Sequence, residues 1–166
     1  RDYNYLPNNV NFTLLVQITV QFKFVKAGIE LFESLPDLKL EPNYITIATA
    51  MNLYILDNKP QKAIELFESV PERWNKGQQF KPIVDLKEPR LWYMVIKAYS
   101  AMNDLRGCEQ TIERMEREKI TITSRIVAIV VKEYSKQRLF QTGKQFAARM
   151  QKQYGVSQWY MNDQKH

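Results

Sequence analysis

The chain has 166 residues, and its 45% apolar and 12% aromatic content allows a sizeable core, while only five Gly favour helices over a turn-rich β fold. The single Cys excludes a disulfide framework and a cysteine metal cluster, which is consistent with a reducing compartment. The formal net charge is +6, and no apolar run is long and uncharged enough to predict a membrane span.

The first eight residues do not resemble the start of a protein. The chain begins at Arg1 rather than at Met, and no signal peptide is visible. We therefore expect the natural N-terminus, with any targeting sequence, to lie outside this chain. Residues 1–8 are predicted to be the tail of a preceding repeat, because their Pro7-Asn8 pair returns further along.

One phrase of the sequence repeats after 35 positions. IELFES occupies residues 29–34 and again 64–69, and the Pro-Asn pair at 7–8 returns at 42–43 with the same period. Two phrases in one register indicate an internal repeat. The predicted repeats are residues 9–43, 44–88, 89–123 and 124–158, and residues 159–166 are a tail or the start of a further repeat. The second repeat is about ten residues too long, which predicts a loop insertion at about 71–88.

Each repeat has the pattern of two helices. The two apolar stripes of the third repeat consist of Trp92, Val95, Ile96, Tyr99 and Met102, and then of Cys108, Thr111, Ile112 and Met115. Both stripes have helical spacing. Because a single helix pair cannot bury its apolar face, the pairs are predicted to stack. The predicted fold is an all-α solenoid of stacked antiparallel helix pairs with about four 35-residue repeats.

Small residues occupy one shared place in the second helix of each repeat. They are Gly28, Ala63, Cys108 and Gly143. A small side chain there would let the partner helix approach closely, so Cys108 is interpreted as a buried packing residue rather than a reactive thiol. Asn8 and Asn43, each after a Pro, are predicted helix N-caps.

These phrases resemble the pentatricopeptide repeat family. GIELFESL, AIELFESV and CEQTIERM stand where the second helix of that family commonly reads like ALELFEEM, and one repeat closes with EPN. The resemblance is strong in the first two repeats and weak in the fourth. Tetratricopeptide repeats are the alternative, since Trp92, Tyr99 and Cys108 would suit them, but their period is 34 residues rather than 35.

The resemblance implies that each repeat contacts one base of single-stranded RNA. In the family the fifth and last residues of a repeat read the base. The corresponding pairs here are Thr13 with Asn43, Ala48 with Glu88, Tyr93 with Thr123, and Ala128 with Gln158. The first pair is one that the family associates with adenine, and the other three are not familiar pairs. The second residue of a repeat sandwiches the base, which implies Val10, Ile45, Arg90 and Arg125.

The positive charge is concentrated in the last quarter of the chain. Up to Ser124 there are 16 basic and 16 acidic residues, whereas from Arg125 onward eight basic residues face only two acidic ones. This asymmetry indicates a polyanionic partner. The candidate phosphate contacts are Lys132, Lys136, Arg138, Lys144, Arg149 and Lys152.

Catalysis is not predicted. The one His is His166, and no Gly-rich phosphate loop or metal-ligand cluster is present, so neither an enzyme activity nor a cofactor is expected.

Three tryptophans could stack on bases. Trp92 is predicted to be buried, and Trp74 in the insertion is interpreted as an anchor on a neighbouring surface. Trp159 lies near the end of the chain.

The resemblance therefore implies an organellar RNA-binding protein that acts in mitochondrial RNA metabolism or translation. Its partners would be single-stranded or ribosomal RNA and proteins of a larger ribonucleoprotein assembly, including the mitochondrial ribosome. The alternative is a protein–protein scaffold in an organellar assembly, and the alternative compartment is the plastid.

Overall fold

The computed structural model describes residues 8–77 and 82–156. Within these ranges eight α-helices follow one another and no strand occurs. They are α1 (Asn9–Gln21), α2 (Val25–Glu33), α3 (Tyr44–Leu56), α4 (Pro60–Arg73), α5 (Pro89–Ala101), α6 (Leu105–Arg117), α7 (Ser124–Lys136) and α8 (Phe140–Tyr154). The predicted all-α fold of paired helices is confirmed, and each predicted repeat contains one pair.

The helices form two compact units, and the division falls after Met94, inside α5. The first unit contains α1 to α4 and the start of α5. The second contains the rest of α5 with α6 to α8. None of the described helices is both long and apolar enough to cross a lipid bilayer.

Side chains predicted as caps begin two of the helices. The Asn8 side chain accepts a hydrogen bond from the Asn11 backbone N–H at 2.8 Å, and the Asn43 Oδ1 accepts one from the Thr46 N–H at 2.9 Å. Both bonds satisfy N–H groups that a helix start leaves without a partner. The prediction of Asn8 and Asn43 as N-caps is therefore confirmed.

The turn after the first helix of every repeat contains one residue with a left-handed backbone. These residues are Lys23, Asn58, Asn103 and Arg138, with φ angles of 60°, 59°, 56° and 60°. Their successive separations are 35, 45 and 35 residues, so the backbone repeats with the predicted period and the ten extra residues follow α4. Glycine is absent from all four places; Asn58 and Asn103 are of a type that adopts this conformation readily, whereas Lys23 and Arg138 gave no local signal for a turn.

The predicted insertion starts later than expected. Helix α4 continues through Pro71 and ends at Arg73, so residues 71–73 are helical rather than part of the loop. Asn75 then closes the loop: its amide nitrogen donates to the Val84 carbonyl at 2.8 Å, and its Oδ1 accepts from the Val84 N–H at 3.0 Å. A proline in the last helical turn removes one hydrogen bond there without ending the helix at once.

Two tryptophans pack inside the first unit. Trp92 is buried, as predicted, with its ring edge-on to Phe67 at 5.1 Å and its indole N–H donating to the Leu86 carbonyl at 2.7 Å. Trp74 is half-buried beside Phe32, at 6.4 Å between ring centroids, and the Arg73 guanidinium lies 4.5 Å from its ring. The ring of Trp74 therefore covers part of the chain's own α2, and its interpretation as an anchor for another surface stays a prediction. Trp159 lies outside the described residues.

The small residues of the second helices are all buried where helices approach closely. A Cβ added to Gly28 would lie 2.2 Å from Thr19 Oγ1 on α1, and one added to Gly143 would lie 2.9 Å from the Tyr134 Cβ on α7. Ala63 and Cys108 are fully buried at the same places of their repeats. Contact between the paired helices explains why this position tolerates only a small side chain.

Candidate nucleic-acid interface

Thr13 and Asn43 belong to one polar cluster. Thr13 lies on α1 with 6% of its surface exposed, and its hydroxyl donates to the Asn9 carbonyl at 2.7 Å. The hydroxyl oxygen lies 2.8 Å from Thr46 Oγ1 on α3 and accepts from the Asn43 Nδ2 at 3.4 Å. The structure thus brings together two residues that are 30 positions apart and were paired from the sequence.

Asn43 and Thr13 differ in which hydrogen-bonding groups they leave available to a ligand. The Asn43 Oδ1 accepts from the Thr46 backbone N–H at 2.9 Å. It also lies 3.1 Å from the Thr46 hydroxyl, whose single hydrogen is shared between Asn43 Oδ1 and Thr13 Oγ1. The Asn43 amide nitrogen carries two hydrogens and uses one on Thr13. Asn43 can therefore donate one hydrogen bond to a ligand, while the buried Thr13 orients it.

A small cleft lies on the first helices of three successive repeats. It encloses about 220 Å³ between α1, α3 and α5. Its lining residues are Gln17, Val20, Gln21, Ala48, Thr49, Asn52, Arg90 and Met94. This volume is below the roughly 300–1,000 Å³ of typical small-molecule sites, so the cleft suits a flat group rather than a large ligand.

Ala48 and Arg90, predicted separately from the repeat register, line this cleft together. Ala48 is fully buried, so its methyl group forms part of the floor, whereas Arg90 is exposed. The remaining candidates differ in exposure: Val10 and Arg125 are exposed, and Ile45, Glu88, Tyr93, Thr123 and Ala128 are half-buried. Gln158, the predicted partner of Ala128, lies outside the described residues.

The basic candidates of the last two helices fall into two groups. Lys132, Arg138, Lys144 and Lys152 are exposed, and no carboxylate of the described chain pairs with them. Arg149 lies 3.5 Å from Glu116 Oε1. The Lys136 ammonium lies 2.8 Å from Glu133 Oε2, 3.4 Å from the Ser100 carbonyl and 3.5 Å from Asn103 Oδ1. Because these acceptors surround it, Lys136 has less capacity for a phosphate than the first group.

Glu133 is a buried carboxylate that sequence reasoning missed. Its side chain is fully buried on α7, where Oε2 accepts from Ser100 Oγ at 2.9 Å and from Lys136, while Oε1 has no partner in the described chain. A signal was available, because Glu133 follows Ile126 and Val130 on the buried stripe of α7. Leu53 occupies the corresponding place of the second repeat and is also fully buried.

Cys108 is a buried thiol of α6 that lies against α5. Burial and the neighbouring Glu133 carboxylate raise the pKa of its thiol to about 12, and the thiol lies 3.7 Å from the Ile96 carbonyl. A thiol that stays protonated is a poor nucleophile, so the interpretation as a packing residue is confirmed. The described residues contain no group of three or more His, Cys, Asp or Glu able to hold a metal ion.

Solved structures of pentatricopeptide repeat proteins share this architecture. The crystal structure of the pentatricopeptide repeat protein PPR10 in complex with an 18-nt psaJ RNA element matches with a TM-score of 0.76 at 18% identity, over 95% of this chain and 22% of that chain. A cysteine-to-serine form of PPR10 with the same RNA element gives the same values. PPR10 from maize matches with a TM-score of 0.69 at 18% identity, over 88% of this chain and 20% of that chain.

This chain thus spans about a fifth of the length of those proteins. No family profile and no curated protein matches its sequence. At 18% identity the likeness concerns the fold, and it extends over 95% of the chain. The paired helices, their repeating left-handed turns and these matches together show that the chain has the pentatricopeptide-repeat fold that the IELFES phrases predicted.

Proposed function

We propose that this chain is an RNA-binding segment of a pentatricopeptide repeat protein. The observation that carries the proposal is the match, over 95% of the chain, to a protein of this fold that was solved with RNA. The Asn43 amide, which keeps one hydrogen for a ligand, supports it at the level of one repeat. On this proposal Asn43 donates to a base edge while Thr13 holds the amide in place.

Two further features support RNA as the partner. Arg90, at a base-sandwiching place, lines the cleft of the first unit and can stack on a base through its planar guanidinium. In the second unit Lys132, Arg138 and Lys144 are exposed cations without a carboxylate partner in the described chain, as contacts to phosphate require. The chain would act by binding rather than by catalysis.

The protein is proposed to act in mitochondrial RNA metabolism or translation. The more specific proposal is that it is a structural component of the mitochondrial ribosome. The departures from the family pattern support this setting. Ala48 and Ala128 cannot hydrogen-bond a base through their side chains, and a fixed ribosomal component does not need to read every base. The plastid is the alternative compartment.

A protein-binding scaffold is the second candidate, and one observation favours it. Helix α1 and the turn after it expose an apolar surface without a charged side chain on the helix itself. Its members are Val10, Leu14, Leu15, Ile18, Phe22 and Phe24, each between 45% and 64% exposed. Exposed apolar surfaces of this kind commonly contact proteins.

The test of RNA binding uses Asn43→Asp in the full chain. Aspartate caps a helix as well as asparagine does, so α3 should be retained, but the carboxylate cannot donate to a base. Binding to fluorescein-labelled 14-nucleotide oligo(A), oligo(C) and oligo(U) is measured by anisotropy. We expect Asn43→Asp to change the order of preference among the three RNAs.

The control is Asn11→Asp, which makes the same charge change at an exposed place on α1. It should weaken all three RNAs equally or not at all. Absence of binding by the unmodified chain at low salt would refute the proposed function. An unchanged preference in Asn43→Asp would leave Asn43 as a cap alone.

A further inference from the structure

In the cleft of the first unit, the residue at the base-reading place of the second repeat cannot hydrogen-bond a base through its side chain. The fifth residue of the second repeat is Ala48, whose methyl group is fully buried and offers neither a donor nor an acceptor. Polar groups nevertheless line the cleft beside it. Gln17 and Gln21 lie one helical turn apart on α1, and both side chains border the cleft.

These two amides are available to a ligand. Neither Gln17 nor Gln21 hydrogen-bonds through its side chain to another residue that the structure describes. Gln17 is half-buried and Gln21 is exposed, so both are reachable from the open side of the cleft. An amide presents a donor and an acceptor at a fixed spacing, which matches the hydrogen-bonding edge of a base.

The rest of the lining favours a base over a phosphate. Val20, Ala48 and Met94 supply apolar surface against which a planar ring can lie. Arg90 is the single charged residue among the lining residues, whereas a phosphate site would be expected to present several cations or a row of backbone N–H groups. A volume of about 220 Å³ also agrees with one flat group.

We propose that this cleft holds one unpaired RNA base, and that Gln17 and Gln21 make the edge contacts that Ala48 cannot make. The inference rests on the proposed function, because it assumes that the bound polymer is RNA. On this proposal the base at the second repeat is contacted by side chains of α1, the first helix of the preceding repeat, rather than by the second repeat's own fifth residue, Ala48. The cleft is contained in the first unit, so no element of the second unit is needed for it.

The experiment replaces both amides by Leu in the full chain, as Gln17→Leu with Gln21→Leu. Binding is measured by anisotropy with labelled 14-nucleotide oligo(A), oligo(C) and oligo(U), and with an abasic ribose-phosphate oligomer of equal length. We expect about tenfold weaker binding of at least one RNA, since each lost hydrogen bond accounts for roughly a three- to tenfold change. Binding of the abasic oligomer should not change.

The control pair is Gln61→Leu with Gln110→Leu, two exposed glutamines on second helices. Equal binding by the test and control pairs would overturn the inference and leave the proposed function intact. An equal loss for RNA and for the abasic oligomer would also overturn it, because the cleft would then contact the backbone. If the unmodified chain binds no RNA, the proposed function itself fails.

A second pair, Gln17→Ala with Gln21→Ala, guards against an effect of the larger apolar side chains. Circular dichroism and the urea midpoint establish that each variant is folded as the unmodified chain is. The Ala pair should weaken the same RNA as the Leu pair. Opposite preferences in the two pairs would count against specific amide contacts.

Discussion

The left-handed residue in each turn lowers the free energy of unfolding, because a side chain at positive φ crowds its own backbone. Arg138 has a φ of 60°, a region in which a side chain crowds its own backbone, and it directly follows the cap of α7. Glycine adopts this conformation without that penalty. A residue other than glycine is therefore held there by the packing of the helices on either side.

Arg138→Gly is expected to raise the free energy of unfolding by about 1 kcal/mol relative to Arg138→Ala. Both variants remove the same charge near the end of α7, so their difference isolates the backbone. Urea unfolding followed by circular dichroism measures it. A midpoint for the Ala variant equal to or above that of the Gly variant would contradict the explanation.

At the scale of the element, α7 carries a buried charge where an apolar side chain would be expected. Glu133 is fully buried and pairs with Lys136, whose side chain is 40% exposed, while Ser100 on α5 supplies a second hydrogen bond. Removing one member of such a pair leaves an uncompensated charge, whereas replacing both members is often neutral. The pair thus constrains substitution more than it contributes net stability.

Lys136→Met is expected to lower the free energy of unfolding by about 1–3 kcal/mol, less than for a fully buried pair because Lys136 is partly exposed. The double variant Glu133→Leu with Lys136→Met should recover most of this loss, since Leu53 fills the same place in the second repeat. Urea denaturation of the single and double variants gives the coupling energy.

Lys132→Met serves as the matched control, because Lys132 is exposed on the same helix and pairs with no described carboxylate. Its free energy of unfolding should stay within about 0.5 kcal/mol of that of the unmodified chain. If Lys132→Met and Lys136→Met cost the same, the buried pair has no special role.

At the scale of the whole molecule, the uneven charge predicts where a polyanion binds. The chain is neutral up to Ser124 and carries its whole surplus of +6 after that residue. Lys132, Arg138 and Lys144 are exposed within this last part. Each cation that contacts a phosphate of single-stranded RNA releases counterions, which steepens the dependence of affinity on salt.

The triple variant Lys132→Glu, Arg138→Glu, Lys144→Glu should weaken RNA binding and reduce the slope of log affinity against log salt by about 2, at roughly 0.7 for each lost phosphate contact. Anisotropy titrations at several salt concentrations measure the slope. The control triple is Lys26→Glu, Lys62→Glu, Lys76→Glu, on exposed residues outside the last quarter. Equal slopes for the two triples would mean that net charge alone governs binding.

Much of the fold could be predicted because the repeat is written in short phrases. IELFES and the Pro-Asn pair set the register, apolar spacing placed the helices, and Asn8 and Asn43 marked two helix starts. These features depend on neighbours within one or two helical turns, so they can be read from local sequence. The helical start of the insertion was missed, because Pro71 suggested an earlier end than α4 has.

The candidate site was predictable only in part. The repeat register predicts Thr13, Asn43, Ala48 and Arg90 as site residues. The available hydrogen of the Asn43 amide and the cleft beside Ala48, however, depend on contacts between helices far apart in the chain. Which hydrogen of the Asn43 amide remains available depends on Thr13 and Thr46, and the cleft exists because α1, α3 and α5 leave space between them. Sequence periodicity specifies the face that each helix buries, whereas the meeting of Gln17, Gln21 and Arg90 follows from how those buried faces pack.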